Sequence, residues 1–174
     1  MPFQEESAVI ESVAPSELAQ LTTVEFTRYF RHLAARVERS ARSVTEEQLW
    51  TKPFPFGNSI GHLILHLTGN LNHYIGSIIA GTGYVRHREH EFIDPVRSPL
   101  DELLARFHQA VEMVVRTIEA QTDATFAIPV PDELPIQTRL GLFLVCAAHL
   151  NNHIGQMSYL VQALQSSTKE PPVW

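Results

Sequence analysis

A long apolar helix that carries two histidines constrains this chain more than any other feature. Residues 141–164 read GLFLVCAAHLNNHIGQMSYLVQAL. At ~100° per residue their apolar side chains share one broad stripe, with His153 near its middle and His149 at its edge. A buried imidazole needs a partner for each ring nitrogen. Two imidazoles one helical turn apart can aim their lone pairs at a single point, which is the geometry that a divalent metal requires.

Three further long helices are predicted from apolar periodicity, and no segment shows the pattern of a strand. The first begins at Pro15 and runs to about Arg42, and a short helix follows a cap at Thr45. The second covers residues 58–81 and ends at glycines. The third is expected to begin with Ser98 as its N-cap and to run to about Thr122. The chain is therefore predicted to be an all-α four-helix bundle.

The connections between these helices differ in length. Residues 82–97 form a link without helical periodicity, and residues 123–137 form a second one, rich in proline and acidic residues. The first link has ~16 residues, enough to return along a helix of ~30 Å. We therefore expect helices two and three to run parallel, joined by a long crossover.

Length and composition bound the class of protein. The 174 residues suit one domain over 1–174, with loose tails predicted at 1–14 and 166–174. A net charge of -6 argues against nucleic-acid binding, and no apolar run of ~18 residues predicts a membrane span. The N-terminus lacks the features of a signal peptide. The single cysteine, Cys146, is expected to be a packed core thiol in a cytoplasmic protein.

A histidine pair needs a third ligand from another helix. The second helix offers His62, His66 and His73, for which a solvated polar stripe and a ligand role are about equally good interpretations. His66 is the best placed, because it lies nearest the apolar boundary. Leu150 stands where a metalloprotease of the H-E-x-x-H type has its glutamate, so that class is not indicated. Three imidazoles would leave coordination positions open for water or substrate.

Other polar residues are candidates for supporting roles. Asn70 and Gln156 are possible additional ligands or hydrogen-bond partners of the ligands. The sequence RHREHEF at 86–92 is either a mixed-charge surface loop or a lid in which Arg86 or Arg88 binds an anionic substrate group. Glu91 is a further candidate for substrate binding. No general base can be singled out.

The stretches NSIGHLILHLTGN, RHREHEF and HLNNHIGQMSYL together resemble the DinB/YfiT-like superfamily. The resemblance implies a four-helix bundle in up-down-down-up order and, commonly, a dimer. It also implies a nickel or zinc ion held by one histidine of helix two and the pair of helix four, which selects His66, His149 and His153. His62 is a histidine that the family pattern does not demand, and it stays open as an additional ligand.

The resemblance also implies an activity. Characterised relatives include thiol-dependent transferases and isomerases, so we expect a metal-dependent transferase that uses a low-molecular-weight thiol as cosubstrate on a small-molecule substrate. One alternative is metal-assisted hydrolysis of a small substrate. Another is a non-catalytic bundle that binds a metal or a partner. We also expect a homodimer, because little of helix two looks fully exposed to water.

Overall fold

The structure is a computed structural model that describes residues 16–93, 97–131 and 134–165. Within these ranges the fold is all-α, as predicted, with one isolated bridge between Pro129 and Thr138. The four long helices are α1 (Glu17–Arg42), α3 (Ile60–Leu71), α5 (Leu100–Glu119) and α7 (Arg139–Leu164). The short ones are α2 (Glu46–Trp50), α4 (His90–Ile93) and α6 (Asp123–Phe126), and a π-helical segment, Asn72–Ser77, continues α3. The tails predicted at 1–14 and 166–174 lie outside the described residues.

Capping residues explain where most helices begin. The hydroxyl of Ser16 accepts from the amide of Ala19 at the start of α1, and Thr45 forms the predicted capping box of α2. The predicted cap of α5 is wrong, because Pro99 occupies the N-cap position and Ser98 lies one residue too early. The Ser98 hydroxyl instead accepts a hydrogen bond from the guanidinium of Arg106.

Two segments predicted to be irregular each contain one helical turn. In the link after α3, α4 begins at His90 and carries the buried Glu91. In the proline-rich segment, α6 begins after a capping box formed by Thr122 and Thr125. Helices of four residues are too short for a periodic apolar pattern to reveal them in the sequence. They are recognised in the structure by their local hydrogen bonds.

Helix α1 packs against α5 and α7, and α3 packs against the same two helices. Arg42, at the end of α1, forms an ion pair of 3.1 Å with Asp101 at the start of α5, so these two helices run antiparallel. Phe26 of α1 lies against Phe143 of α7, with 6.3 Å between ring centroids, and further along both helices Arg36 donates to Asn151, so α1 and α7 run parallel. Cys146 is 1% exposed in the core between these helices, as predicted.

Helix α3 is enclosed by its own chain. It packs on α5, α7 and α4, and ten of its 12 residues are buried. In the π segment Gly76 lies beside Met113 of α5, a contact that is expected if α3 and α5 run parallel as in the predicted up-down-down-up order. The segment ends before Gly81 and Gly83, which have positive φ angles of 64° and 72°. Packing against α4 therefore accounts for part of the burial of α3 within the chain itself.

None of the helices in the described ranges has both the length and the apolar character that crossing a membrane requires.

Candidate metal centre

Packing of α3 against α7 brings three histidines to one point. The Nε2 atom of His149 lies 3.2 Å from Nε2 of His66 and 3.0 Å from Nε2 of His153. The potential ligand atoms of all three residues lie within 4.8 Å of one another. His149 and His153 meet because they are one turn apart on α7, whereas His66 comes from 83 residues earlier in the sequence. These are the three residues that the sequence and the family resemblance selected.

The spacing of these nitrogens fits a shared cation. Nitrogens that are each ~2.1 Å from one ion are about 3.0 Å apart at ligand angles of 90° and about 3.4 Å apart in a tetrahedron. The two measured distances, 3.2 Å and 3.0 Å, lie in this range. A ring nitrogen has either one proton or one lone pair, so Nε2 of His149 cannot make two good hydrogen bonds at once. The donor set therefore suits a divalent metal better than it suits a hydrogen-bonded cluster.

The surroundings keep two of these imidazoles, those of His66 and His149, uncharged at neutral pH. Burial lowers the pKa of His149 to about 4, and a proton on either neighbouring imidazole would lower it further by charge repulsion. Burial also lowers the pKa of His66, and this effect outweighs the opposing influence of Glu91. Both rings are neutral at pH 7 and keep a lone pair for a metal.

The far nitrogens of two rings are held by acceptors. Nδ1 of His66 is 2.8 Å from Oε2 of Glu91, and Nδ1 of His153 is 2.8 Å from Oε1 of Gln156. When Nδ1 donates its proton to such an oxygen, Nε2 is left with the lone pair and the ring is held in one orientation. Among the described residues, Nδ1 of His149 has no hydrogen-bond partner, although it is buried.

Glu91 is the residue whose role sequence reasoning missed. Its carboxylate is held by Arg86, with Nε 2.7 Å from Oε1 and Nη2 2.9 Å from Oε2, and both side chains are at most 10% exposed. The sequence suggested that both residues bind substrate, whereas the structure joins them to each other and to His66. A histidine that binds a metal commonly donates its other N–H to a carboxylate. This rule could have identified a glutamate of the link as a hydrogen-bond partner of His66. Gly69 makes room for it, since a Cβ there would overlap Oε1 of Glu91.

Two of the three histidines on α3 and the π segment, which together form the second helix predicted from the sequence, lie outside the cluster. Nδ1 of His62 is 2.7 Å from the Ser59 hydroxyl, and its ring meets the ring of Trp50 edge-on at 5.4 Å. The ring of His73 lies against Tyr74, with 4.8 Å between centroids. Of the three histidines on α3 and the π segment, only His66 joins the pair on α7 in the described structure.

A cavity of about 320 Å³ adjoins the triad, and its wall includes His66 and His149. Arg88 is exposed at this cavity, with its guanidinium 5.6 Å from the ring centroid of Phe92. Three further polar side chains belong to the wall: Asn70, Tyr74 and Arg86. The remaining wall residues are mostly apolar: Leu134, Pro135, Ile136, Leu142, Val145 and Cys146. The cavity is small, partly cationic and open to the imidazoles.

The triad and its acceptors lie within a recognised sequence family. The family model of the DinB superfamily matches residues 29–157, a range that includes the three histidines, Glu91 and Gln156. No curated protein matches the chain. With more than half of its length matched, this chain belongs to the DinB superfamily.

Proposed function

We propose that this chain binds a divalent metal, nickel or zinc, through His66, His149 and His153, and that it is a metal-dependent transferase for a low-molecular-weight thiol. The metal site is supported by the convergence of three Nε2 atoms. Two of these atoms belong to rings whose Nδ1 atom lies within hydrogen-bond distance of an acceptor oxygen. Three protein ligands leave a position for an exchangeable ligand, as catalytic sites require.

A divalent ion held by His66, His149 and His153 would lower the pKa of a bound thiol and so supply a thiolate nucleophile at neutral pH. In the transfer, the sulfur forms a bond to an electrophilic carbon of the substrate, and the leaving group departs with the bonding electron pair. The thiol proton passes to solvent. The cavity beside His149 accommodates the small-molecule substrate, whose anionic group we assign to Arg88. Arg86 is less suited to that role, because Glu91 already occupies it.

The metal site is tested by elemental analysis of the purified wild-type protein and of His153→Ala. We expect stoichiometric metal in the wild type and its loss in the variant, with helical circular dichroism retained, since His153 is only half-buried on a long helix. His73→Ala is the matched control, because His73 continues the same helix as His66 and lies outside the cluster. A wild-type protein without metal, or a His153→Ala variant that keeps it, would overturn the proposal.

The transferase activity is tested with an electrophilic chromophore and glutathione, bacillithiol or mycothiol in turn. We expect turnover that needs both the thiol and the metal. Turnover of an activated ester without any thiol would instead favour metal-dependent hydrolysis. Absence of both activities, with the coordination positions filled by protein, would favour a non-catalytic metal-binding bundle.

We further propose that the chain forms a homodimer in the cytoplasm. The support for this proposal is that two neighbouring helices expose large apolar side chains: Leu21 of α1 is 55% exposed and Leu144 of α7 is 60% exposed. Light scattering of the wild type beside Leu21→Glu tests the dimer. A monomeric wild type, or a dimer unaffected by the charge, would contradict this assignment of the surface.

A further inference from the structure

Two buried polar atoms at the same cavity lack a partner. In the described part of the chain, neither Nδ1 of His149 nor Oδ1 of Asn70 makes a hydrogen bond, and both residues line the cavity beside the triad. Asn70 is 6% exposed and lies one helical turn after His66 on α3. Buried polar groups of this kind are normally paired, so two unpaired ones on the wall of the same cavity indicate a state in which they are paired.

Binding of a metal by the three histidines would make a hydrogen bond at Nδ1 of His149 necessary. An imidazole that gives its Nε2 lone pair to a metal carries its proton on Nδ1, which then requires an acceptor. Glu91 meets this need for His66, and Gln156 meets it for His153. His149 is the remaining ligand, and the acceptor that shares its cavity wall is a side-chain amide whose terminal torsion is soft.

We infer that Asn70 is the positioning residue of His149, and that its Oδ1 accepts the Nδ1 proton when Nε2 of His149 is bound to metal. The inference rests on the proposed metal site. It also assigns the charge balance of that site: the three acceptors are then one carboxylate and two neutral amides, and the carboxylate of Glu91 is already paired with Arg86. An ion held in this way keeps most of its positive charge, which favours an anionic ligand such as a thiolate.

The test is a titration of the metal-free full chain with zinc against a chromophoric chelator. For Asn70→Leu, which removes the acceptor, we expect the zinc Kd to rise by about 10–100-fold. For Asn70→Asp, which keeps an acceptor and adds charge, we expect zinc to bind at least as tightly as in the wild type. Asn72→Leu is the matched control, because Asn72 lies two residues further along and lines a different cavity. Its Kd should stay within about twofold of the wild type.

A spectroscopic readout separates positioning from mere packing. In the zinc-loaded wild type, nitrogen-detected imidazole spectra should show a slowly exchanging Nδ1 proton on His149, which Asn70→Leu should lose. Unchanged zinc Kd values and an unchanged proton signal in Asn70→Leu would overturn the inference and leave the triad standing. No zinc binding by the wild type would overturn the metal site itself. If Asn70→Leu does not fold, Asn70→Ala is judged by the same two measurements.

Discussion

Adding one methyl group at Gly69 should damage the metal centre from a distance. A Cβ at this position would overlap Oε1 of Glu91 and lie 2.9 Å from its Cδ. Glu91 is buried and cannot move away without losing its contacts with Arg86 and with Nδ1 of His66. Gly69→Ala therefore tests whether the glutamate holds the histidine as the structure describes.

Two opposing effects decide the size of the change. Alanine is favoured over glycine inside a helix by about 1 kcal/mol. Breaking a buried ion pair costs about 3–5 kcal/mol. The balance is a loss of about 2–4 kcal/mol in the free energy of unfolding of the metal-free protein, or roughly 4–16 °C in Tm for a chain of this size. Zinc affinity should fall by about 10–100-fold, because His66 loses its acceptor.

Denaturant unfolding and zinc titration measure both effects. Gly155→Ala is the control, because a Cβ at Gly155 of α7 meets no atom within 4 Å and should stabilise the helix. In a Glu91→Ala background the clash disappears, so Gly69→Ala should change sign and become stabilising. A Gly69→Ala variant that is as stable as the wild type and binds zinc equally well would refute the described contact between Gly69 and Glu91.

Three more predictions follow from the same region and the core. His62→Ala should keep its metal, because the Nδ1 atom of His62 contacts the Ser59 hydroxyl and the residue lies outside the cluster; metal loss measured by elemental analysis would contradict this. Burial raises the pKa of Cys146 to about 12, so a thiol reagent at pH 8 should modify it far more slowly than it modifies an exposed thiol, and fast labelling of the folded protein would count against the packing. The metal-free protein should lose stability as the pH falls from 6.5 towards 4, because the unfolded chain protonates His149 in this window and the folded chain does not. Denaturant unfolding at pH 7 and pH 5 should show a smaller difference in His149→Ala than in the wild type.

Sequence periodicity was sufficient for the long helices and insufficient for the segments between them. The apolar stripes of α1, α5 and α7 run over five or more turns, so helical phase was easy to establish. The π segment after Leu71 was not predicted. Its hydrogen bonds span one residue more than those of an α-helix, and an apolar pattern analysed at ~100° per residue does not reveal this local change. The short helices α4 and α6 were missed because they are formed by local caps and by burial of single residues.

The candidate site shows a similar division. His149 and His153 were identifiable because helical spacing alone places them together, and His66 was chosen from its position beside the apolar face. Glu91 was assigned to substrate because no spacing rule connects it with a residue 25 positions earlier. Its contact with His66 depends on how the link folds back over α3, which is a tertiary feature that one sequence does not encode in any local pattern.

The distance in sequence between the histidines has a consequence for how an ion would affect folding. An unfolded chain can still offer the neighbouring pair on the last helix, but the third ligand must be recruited across 83 residues at an entropic cost. An ion that engages all three acts as a reversible crosslink, which closes that loop in the folded state and is largely lost on unfolding. A Tm that rises with the free zinc concentration would thus indicate that zinc binds the folded bundle through all three histidines. Binding to the two histidines of α7 alone would not give this dependence.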